Sequence, residues 1–186
     1  MSKDKWLKVA DDNYDFMFIG DHTHAVDAKN RVAIPSSFRR NFPTGTEDRI
    51  VLLRGTNLCV EAHVRPEWRL YVQRFRNLGR YNKEDRVLRR LVFSGANEIE
   101  LDGQMRVLLP KTLMEMAGIG AEARFIGQGS FFEIWSPQRF DDFVAQNISL
   151  YDELMERLDG RQAVEEKAVE RGGQDQRGVP PAGTES

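Results

Sequence analysis

The chain contains two copies of one short segment, and this repeat constrains its fold more than any other feature. Residues 18–39 (FIGDHTHAVDAKNRVAIPSSFR) align with residues 93–114 (FSGANEIELDGQMRVLLPKTLM) without a gap, at a constant offset of 75. Six of the 22 aligned positions are identical and two more, Ile34 with Leu109 and Phe38 with Leu113, are similar. A second similarity follows at a slightly shifted offset, between RIVLLRGTNLCVEAHVRPEW and ARFIGQGSFFEIWSPQRF. A match of this length indicates one supersecondary unit that is used twice.

The hydrophobic pattern inside each copy predicts a mainly β unit. Alternating polar and apolar residues before Asp27 and Asp102 predict half-buried strands. The apolar residues that follow Arg31 and Arg106 predict the strands that return from each turn. The Asp-x-x-x-Arg segment is then the connecting turn. A proline after each return predicts a short helix, and two further strands predict a hairpin with a Gly-containing turn. Each copy is therefore predicted as strand, turn, strand, short helix and hairpin.

The segments outside the copies are predicted to be helical or disordered. EWRLYVQRFRNLGRYNKEDRVLRRLVF predicts one or two amphipathic helices with a break at Gly79. Ser136 as an N-cap and Pro137 at the first helical position predict a C-terminal helix, and the Gly-, Pro- and Gln-rich end predicts a disordered tail. The predicted segments are an N-terminal extension (1–15), a first unit (16–63), linking helices (64–90), a second unit (91–136), a C-terminal helix (137–160) and a disordered tail (161–186).

Neither copy is large enough to fold alone, because four short strands and one turn of helix cannot bury their own apolar residues. We therefore expect the two copies to interlock into one pseudo-two-fold β-barrel with flanking helices, a mainly β fold of the α+β class. This arrangement places both Asp-x-x-x-Arg turns on one side of the molecule.

Composition and charge narrow the function classes. The chain is 40% hydrophobic and 30% charged, as globular proteins are, and its net charge is −2. Residues 151–186 hold nine acidic and five basic residues, so the remainder has a net charge of +2, with arginines concentrated between residues 74 and 90. A local basic surface is compatible with this distribution. The lack of an apolar leader or of 18 consecutive apolar residues predicts a soluble, cytosolic protein without a membrane segment.

The two turns, DAKNR and DGQMR, are each followed by a branched run and a proline, with PEW at 66–68 and EIW at 133–135. In these features the chain resembles the MraZ family, over about residues 16–150. The resemblance implies two AbrB-like (SpoVT-AbrB) swapped-hairpin units per chain and a ring-shaped homo-oligomer. It also implies binding to repeated double-stranded DNA boxes upstream of the bacterial division and cell-wall gene cluster, regulation of that cluster, and a nucleoid-associated, cytoplasmic location.

The chain departs from the family pattern within both turns. The family turn usually has Gly before the Arg, where this chain has Asn30 and Met105. Asn tolerates a left-handed backbone and Met does not, so we expect the second turn to use Gly103 as its positive-φ residue and to differ in shape. Because Gln104 stands where the first turn has Lys29, we expect the first turn to make the stronger DNA contact.

The residue types in the turns suit DNA recognition. An Arg at a turn presents a planar fork of donors to a phosphate or to the O6/N7 edge of guanine. The Asp four residues earlier only accepts hydrogen bonds, so it is expected to cap the turn or to orient the Arg. The alternative is an internal Arg–Asp ion pair without any ligand. The expected DNA-binding residues are Lys29, Asn30, Arg31, Gln104 and Arg106, and the expected turn-orienting residues are Asp27 and Asp102.

Other functions have weaker support in the sequence. The turns lack the Asp-Thr-Gly or Asp-Ser-Gly pattern of two-lobed acid proteases, and an Arg so close would keep each carboxylate ionised, so no enzyme activity is expected. No Gly-rich phosphate loop precedes a helix, and no nucleotide or other cofactor is expected.

Three side chains elsewhere could carry metal or thiol chemistry. His22 and His24 are expected to be solvated or to face DNA, and zinc or any other metal is not expected. Cys59, in the apolar run LCV, is expected to be a buried, unreactive thiol.

Two non-enzymatic alternatives remain. The main one is a ring-forming assembly protein whose Arg turns contact other subunits or protein partners. An antitoxin that binds DNA through one such barrel usually has a single short copy, and the two copies argue against it.

Overall fold

The computed structural model of the chain describes residues 17–42 and 49–160, and its elements repeat in the predicted order. The predicted N-terminal extension and tail lie outside these residues. The elements of the first copy are β1 (Asp21–Ala25), β2 (Arg31–Ala33), α1 (Ser36–Arg39), β3 (Arg49–Arg54) and β4 (Val60–Val64), with a 3-10 turn at Thr56–Leu58.

The second copy repeats this order after two linking helices. The linking helices are α2 (Arg65–Gln73) and α3 (Lys83–Gly95), and the predicted break at Gly79 is confirmed by the segment 74–82 that separates them. The elements of the second copy and the helix after it are β5 (Asn97–Glu100), β6 (Arg106–Leu108), α4 (Lys111–Ala117), β7 (Glu122–Gly127), β8 (Phe132–Trp135) and α5 (Pro137–Asn147).

The strands of the two copies are interleaved, which confirms the predicted interlocking. Six strands form one antiparallel sheet in the order β1-β7-β8-β4-β3-β5, and β2 pairs with β6 in a separate ribbon. Exchanging each strand for its counterpart in the other copy reverses this order and leaves the pairing unchanged. The sheet therefore has the pseudo-two-fold symmetry predicted from the repeat.

One detail of the strand pairing differs from the sequence prediction. The strands before and after each turn were predicted to pair with one another, but in the first copy only a single bridge, Val26 to Val32, joins them. β1 pairs with β7, and β2 pairs with β6. Each copy is too small to bury its own apolar face, and exchanging strands with the other copy covers both.

The strand register locates the pseudo-two-fold axis. Val32 lies opposite Val107 in the ribbon, and these residues are equivalent in the repeat. In the sheet, Glu61 lies opposite Glu133 at the junction between the two copies. The axis therefore passes through both pairs, and the core lies between them.

One hydrophobic core fills the space between ribbon and sheet. Phe18 and Phe38 from the first copy and Phe125 and Phe132 from the second are fully buried, and Phe132 lies 5.1 Å from Phe18 and 5.2 Å from Phe38 between ring centroids. The same cluster includes the buried residues of the ribbon. The fold is thus a mainly antiparallel β structure with flanking helices, as predicted.

The described residues divide into two compact units, with the boundary between Asp141 and Asp142. The sheet, the ribbon and the sites discussed below lie in the first unit. The predicted C-terminal helix begins at Pro137, but it is interrupted after Asn147 by a 3-10 turn (Ile148–Leu150), and 151–160 is helical again. Among the residues described, no helix combines the length and the apolar character that crossing a membrane requires.

Candidate nucleic-acid interface

The first Asp-x-x-x-Arg turn is closed by hydrogen bonds to both oxygens of one carboxylate. The Asp27 Oδ1 accepts from the backbone N–H of Lys29 at 2.8 Å and of Arg31 at 2.9 Å. The Asp27 Oδ2 accepts from the Arg31 Nε at 2.8 Å and lies 2.7 Å from its Nη2. The backbone N–H groups of Asp27 and Asn30 complete the turn by donating to the carbonyls of Arg31 and Asp27. The carboxylate therefore fixes both the backbone of the turn and the plane of the guanidinium.

The second turn repeats this geometry. The Asp102 Oδ1 accepts from the backbone N–H of Gln104 at 2.9 Å and of Arg106 at 3.0 Å, and its Oδ2 accepts from the Arg106 Nε at 2.7 Å. The Met105 N–H donates to the Asp102 carbonyl, as Asn30 does to Asp27. The two turns therefore have the same hydrogen-bonding pattern despite their different sequences.

The expectation that Gly103 supplies the left-handed residue of the second turn is wrong. Met105 has a φ of 57°, close to the 60° of Asn30, and Gly103 is not among the residues with positive φ. Left-handed backbone costs a non-Gly residue about 1–2 kcal/mol. Here it is held by the Asp102 hydrogen bonds on either side and by a bond from the Ile34 N–H to the Met105 carbonyl, while the Met105 side chain packs against the core.

The turns lie side by side, as predicted from the symmetry, and each arginine also approaches the carboxylate of the other turn. The Arg31 Nη1 lies 3.8 Å from the Asp102 Oδ2, and the Arg106 Nη1 lies 3.6 Å from the Asp27 Oδ2. We call these four side chains the Arg–Asp quartet. Its formal charges cancel, and its side chains are 26–32% exposed.

Both carboxylates of the quartet are held in the ionised form. The side-chain hydrogen bond from Arg31, followed by the backbone hydrogen bond from the same residue, lowers the pKa of Asp27 to about 2. The side-chain hydrogen bond from Arg106 likewise lowers the pKa of Asp102 to about 2. Two carboxylates in this state do not share a proton, as an acid-protease dyad does. The quartet instead fixes two guanidinium groups in orientation.

The remaining residues of the expected site flank the quartet unequally. Lys29 and Gln104 are exposed at corresponding positions of the two turns, so only the first turn adds a cation. Asn30 is partly buried, and its carbonyl accepts from the Leu109 N–H at 2.9 Å. The structure thus brings all the sequence-predicted site residues together within two adjacent turns.

The two histidines are engaged within the protein, contrary to the expectation that they are solvated or face DNA. The His22 Nε2 lies 2.9 Å from the Ser37 Oγ, and the His24 Nδ1 lies 2.7 Å from the Ala33 carbonyl oxygen. Both side chains are partly buried. Their place on β1, beside β2 and α1, gives them these partners. Among residues 17–42 and 49–160, no three His, Cys, Asp or Glu side chains are grouped as a metal site.

A second polar cluster, which sequence analysis missed, lies where the axis crosses the sheet. The His63 ring nitrogen Nε2 lies 3.1 Å from the Glu61 Oε2, and the Trp135 Nε1 donates to the Glu133 Oε2 at 2.9 Å. Cys59 is fully buried, and burial raises the pKa of its thiol well above the usual range, which agrees with the expectation of an unreactive thiol. For this cluster, the signal in the sequence was a lone Glu inside each of two apolar strands. Whether Glu61 and Glu133 lie opposite each other depends on the strand register.

The pKa of Glu133 is raised, first by burial and then by the neighbouring Glu61. A carboxyl whose pKa is higher in the folded than in the unfolded state stabilises the fold while it is protonated, and this stability is lost as pH rises from the ordinary carboxyl pKa to the raised one. We therefore expect Glu133→Gln, which keeps an acceptor for Trp135, to flatten the fall in unfolding free energy across this range. Urea unfolding at a series of pH values measures it. Glu122→Gln, on an exposed position of β7, is the control, and equal profiles for both variants would contradict the expectation.

A family model with the description "MraZ protein, putative antitoxin-like" matches the chain twice, at residues 17–91 and 92–162. The two matches divide the chain close to the boundary between the repeats.

Curated proteins resemble the chain over most of its length. A protein named transcriptional regulator MraZ from Clostridium tetani is 37% identical over 142 residues, which are 76% of this chain and 96% of the relative. A protein of the same name from Pelotomaculum thermopropionicum is 37% identical over 142 residues, 76% and 95% of the two chains. Another, from Roseiflexus castenholzii, is 35% identical over 145 residues, 76% and 99% of the two chains.

Proposed function

The chain belongs to the MraZ family, and from this premise we propose that it is a sequence-specific, DNA-binding transcriptional regulator that reads double-stranded DNA through the Arg–Asp quartet. The observation that carries the proposal is the pair of adjacent guanidinium groups, each held by a carboxylate and still about one quarter to one third exposed. The family relatives are named transcriptional regulators, which supports a role in DNA binding.

A guanidinium group that is fixed in one plane favours specific hydrogen bonding to DNA over non-specific electrostatic attraction. Each guanidinium has five N–H donors, and its own Asp engages the Nε and Nη2 edge. The other N–H groups, on Nη1 and Nη2, can donate to a guanine edge or a phosphate, with Nη1 also 3.6–3.8 Å from the carboxylate of the other turn. Less side-chain entropy is lost on binding because the group is already fixed. The exposed Lys29 adds a cation beside Arg31, whereas Gln104 is neutral, so the first turn makes the stronger contact.

The finer features of the proposal follow the family resemblance. The chain assembles with copies of itself into a ring, and neighbouring subunits bind tandem promoter boxes upstream of the division and cell-wall gene cluster. Once one subunit has bound, its neighbour binds at high effective concentration, and avidity exceeds single-site affinity by roughly 10²–10⁴ when the box spacing fits. Direct repeats suit neighbouring subunits of a cyclic assembly.

The competing function is that of a ring-forming assembly protein whose arginines serve only subunit or partner contacts. It is favoured by one observation, that Arg31 and Arg106 already have carboxylate partners inside the chain. In that case their replacement changes assembly without changing DNA affinity.

The test is a titration of the purified protein with labelled duplex DNA from upstream of its own gene, at two salt concentrations. We expect Arg31→Ala to weaken binding by about 1–3 kcal/mol, roughly 5- to 150-fold, and Arg106→Ala to weaken it less. Arg31→Lys keeps the charge but loses the planar fork, so it recovers only part of the affinity.

The control is Arg54→Ala, which removes an exposed arginine at the end of β3. Circular dichroism and light scattering establish that each variant keeps its fold and its assembly. Unchanged affinity of a folded Arg31→Ala protein would sink the proposal and favour the assembly role.

A further inference from the structure

A strongly basic surface lies outside the Arg–Asp quartet, on the two linking helices. Residues 65–95, which we call the basic hairpin, hold nine Lys and Arg residues against three Asp and Glu residues, a net charge of +6. The quartet has two cations and two anions. The largest local excess of positive charge in the described chain therefore lies on a surface that sequence-specific reading by the turns does not use.

Two of these cations are structural. The Arg89 Nη2 donates to the carbonyls of Phe75 and Leu78 at 2.7 and 2.8 Å, which holds the segment after α2 against α3. The Arg65 Nε lies 3.4 Å from the Glu98 Oε1. Neither side chain is available for a ligand without breaking these contacts.

The other cations are exposed and have no carboxylate partner within the part of the chain that the structure describes. They comprise Lys83 and six arginines. Arg74 lies over the ring of Tyr71, 5.5 Å from its centroid, which orients it without neutralising it. The six arginines are Arg69, Arg74, Arg76, Arg80, Arg86 and Arg90.

The segment that carries Arg76 and Arg80 is held in place. The Gly79 N–H donates to the Asp85 Oδ2 at 2.6 Å, and the Asn82 side chain caps α3 by accepting from the N–H groups of Glu84 and Asp85. With the two Arg89 bonds, these contacts fix the loop onto the first turns of α3. The backbone that carries Arg76 and Arg80 is therefore held beside α3, with their side chains exposed.

Like charges so arranged repel one another, and a polyanion relieves that repulsion. Lys83, Arg86 and Arg90 recur every three or four residues on one side of α3 and span about 10 Å of its axis. Over about 10 Å, duplex DNA presents roughly six phosphate charges. We propose that the basic hairpin is a second, sequence-independent contact, which binds the phosphate backbone of double-stranded DNA.

This inference rests on the proposed function, and it assigns different parts of DNA binding to the quartet and to the basic hairpin. The neutral quartet distinguishes one base sequence from another and releases few counterions. The basic hairpin supplies the salt-dependent attraction that every duplex shares. Removing cations from the hairpin therefore weakens binding to all sequences alike, whereas Arg31→Ala weakens binding chiefly to the promoter sequence.

The test compares two duplexes of equal length, the upstream sequence and a scrambled one, across a series of salt concentrations. In the variant Arg76→Gln, Arg80→Gln, Arg86→Gln we expect both affinities to fall by the same factor, about 10-fold or more at low salt. The slope of log affinity against log salt should become shallower by about 0.9 for each phosphate contact removed. The matched control changes the same three residues to Lys, which keeps the charges and should keep both affinities and the slope.

The outcomes separate this inference from the proposed function. If the Gln variant is folded and binds the scrambled duplex with unchanged affinity and slope, the inference is overturned, whatever Arg31→Ala does. If the wild-type protein does not prefer the upstream duplex, the proposed function fails, and an equal loss of affinity in the Gln variant still supports the hairpin contact. If the Gln substitutions alter the mass measured by light scattering and leave DNA binding intact, the hairpin is a protein contact and the inference is overturned.

Discussion

Replacing Gly127 with alanine is expected to lower the free energy of unfolding by about 3 kcal/mol, the upper end of the usual overpacking cost. A Cβ at this position would overlap the Phe18 carbonyl and lie 2.7 Å from the Ile19 Cα. Both are backbone atoms, so no side-chain rotation relieves the overlap. The segment before β1 would have to move away from the sheet, although the Gly127 N–H donates to the Gly20 carbonyl at 2.9 Å. Urea denaturation at one fixed protein concentration measures the loss.

Gly103→Ala is the matched control. A Cβ at Gly103 meets no atom within 4 Å, and the residue is exposed in the second turn. We expect this variant to stay within about 0.5 kcal/mol of the wild type. If the two alanine variants unfolded at the same urea concentration, the backbone contact at Gly127 would not limit the size of the residue there.

Phe132→Ala is expected to lower the free energy of unfolding by about 3–5 kcal/mol, the usual cost of truncating a buried aromatic ring. Phe132 is fully buried, lies in β8 of the second copy and contacts the rings of Phe18 and Phe38 in the first. The cavity would therefore open at the junction between the copies, where neither can close it without moving its strands. Urea denaturation measures this loss as well, and an unchanged slope with denaturant would show that the unfolded state is the same.

Tyr81→Ala provides the comparison for a large aromatic ring at the surface. Tyr81 is 90% exposed in the segment between the linking helices. Its removal should change stability by no more than about 0.5 kcal/mol. A small effect at Phe132, similar to that at Tyr81, would mean that the two copies do not share one core.

The order of elements and the interlocking of the copies were predictable from the sequence because they depend on local pattern and on size. The alternation before Asp27 and Asp102 and the proline after each return strand are local signals. The exchange of strands follows because one copy is too small for a core. Placing both turns on one side then needs only the two-fold relation between the copies.

The conformation of Met105 was not predictable from its residue type. Intrinsic preference disfavours a left-handed Met, and the available glycine at 103 was the obvious substitute. The Asp102 carboxylate overrides this preference, because its hydrogen bonds to the N–H groups of Gln104 and Arg106 require a left-handed residue between them. The relevant sequence signal was the Asp, which is shared by both turns.

The ion pairs between turns and the Glu61–Glu133 pairing were missed for a different reason. Both depend on which residues lie opposite each other across the pseudo-two-fold axis. Strand register between distant segments is set by the whole fold, and no single segment encodes it. The repeat predicts that an axis exists, but the residues on it become known only with the register.

The strand order also has a consequence for folding during translation. Asp21 in β1 lies opposite Ile126 in β7, more than 100 residues later in the chain. A ribosome adds about 5–20 residues each second, so β7 is synthesised roughly 5–20 s after its partner β1. During that time the nascent first half offers unpaired strand edges, and a neighbouring polypeptide from the same messenger can supply the missing partner. Exchange of halves between newly made chains competes with folding until translation passes β8.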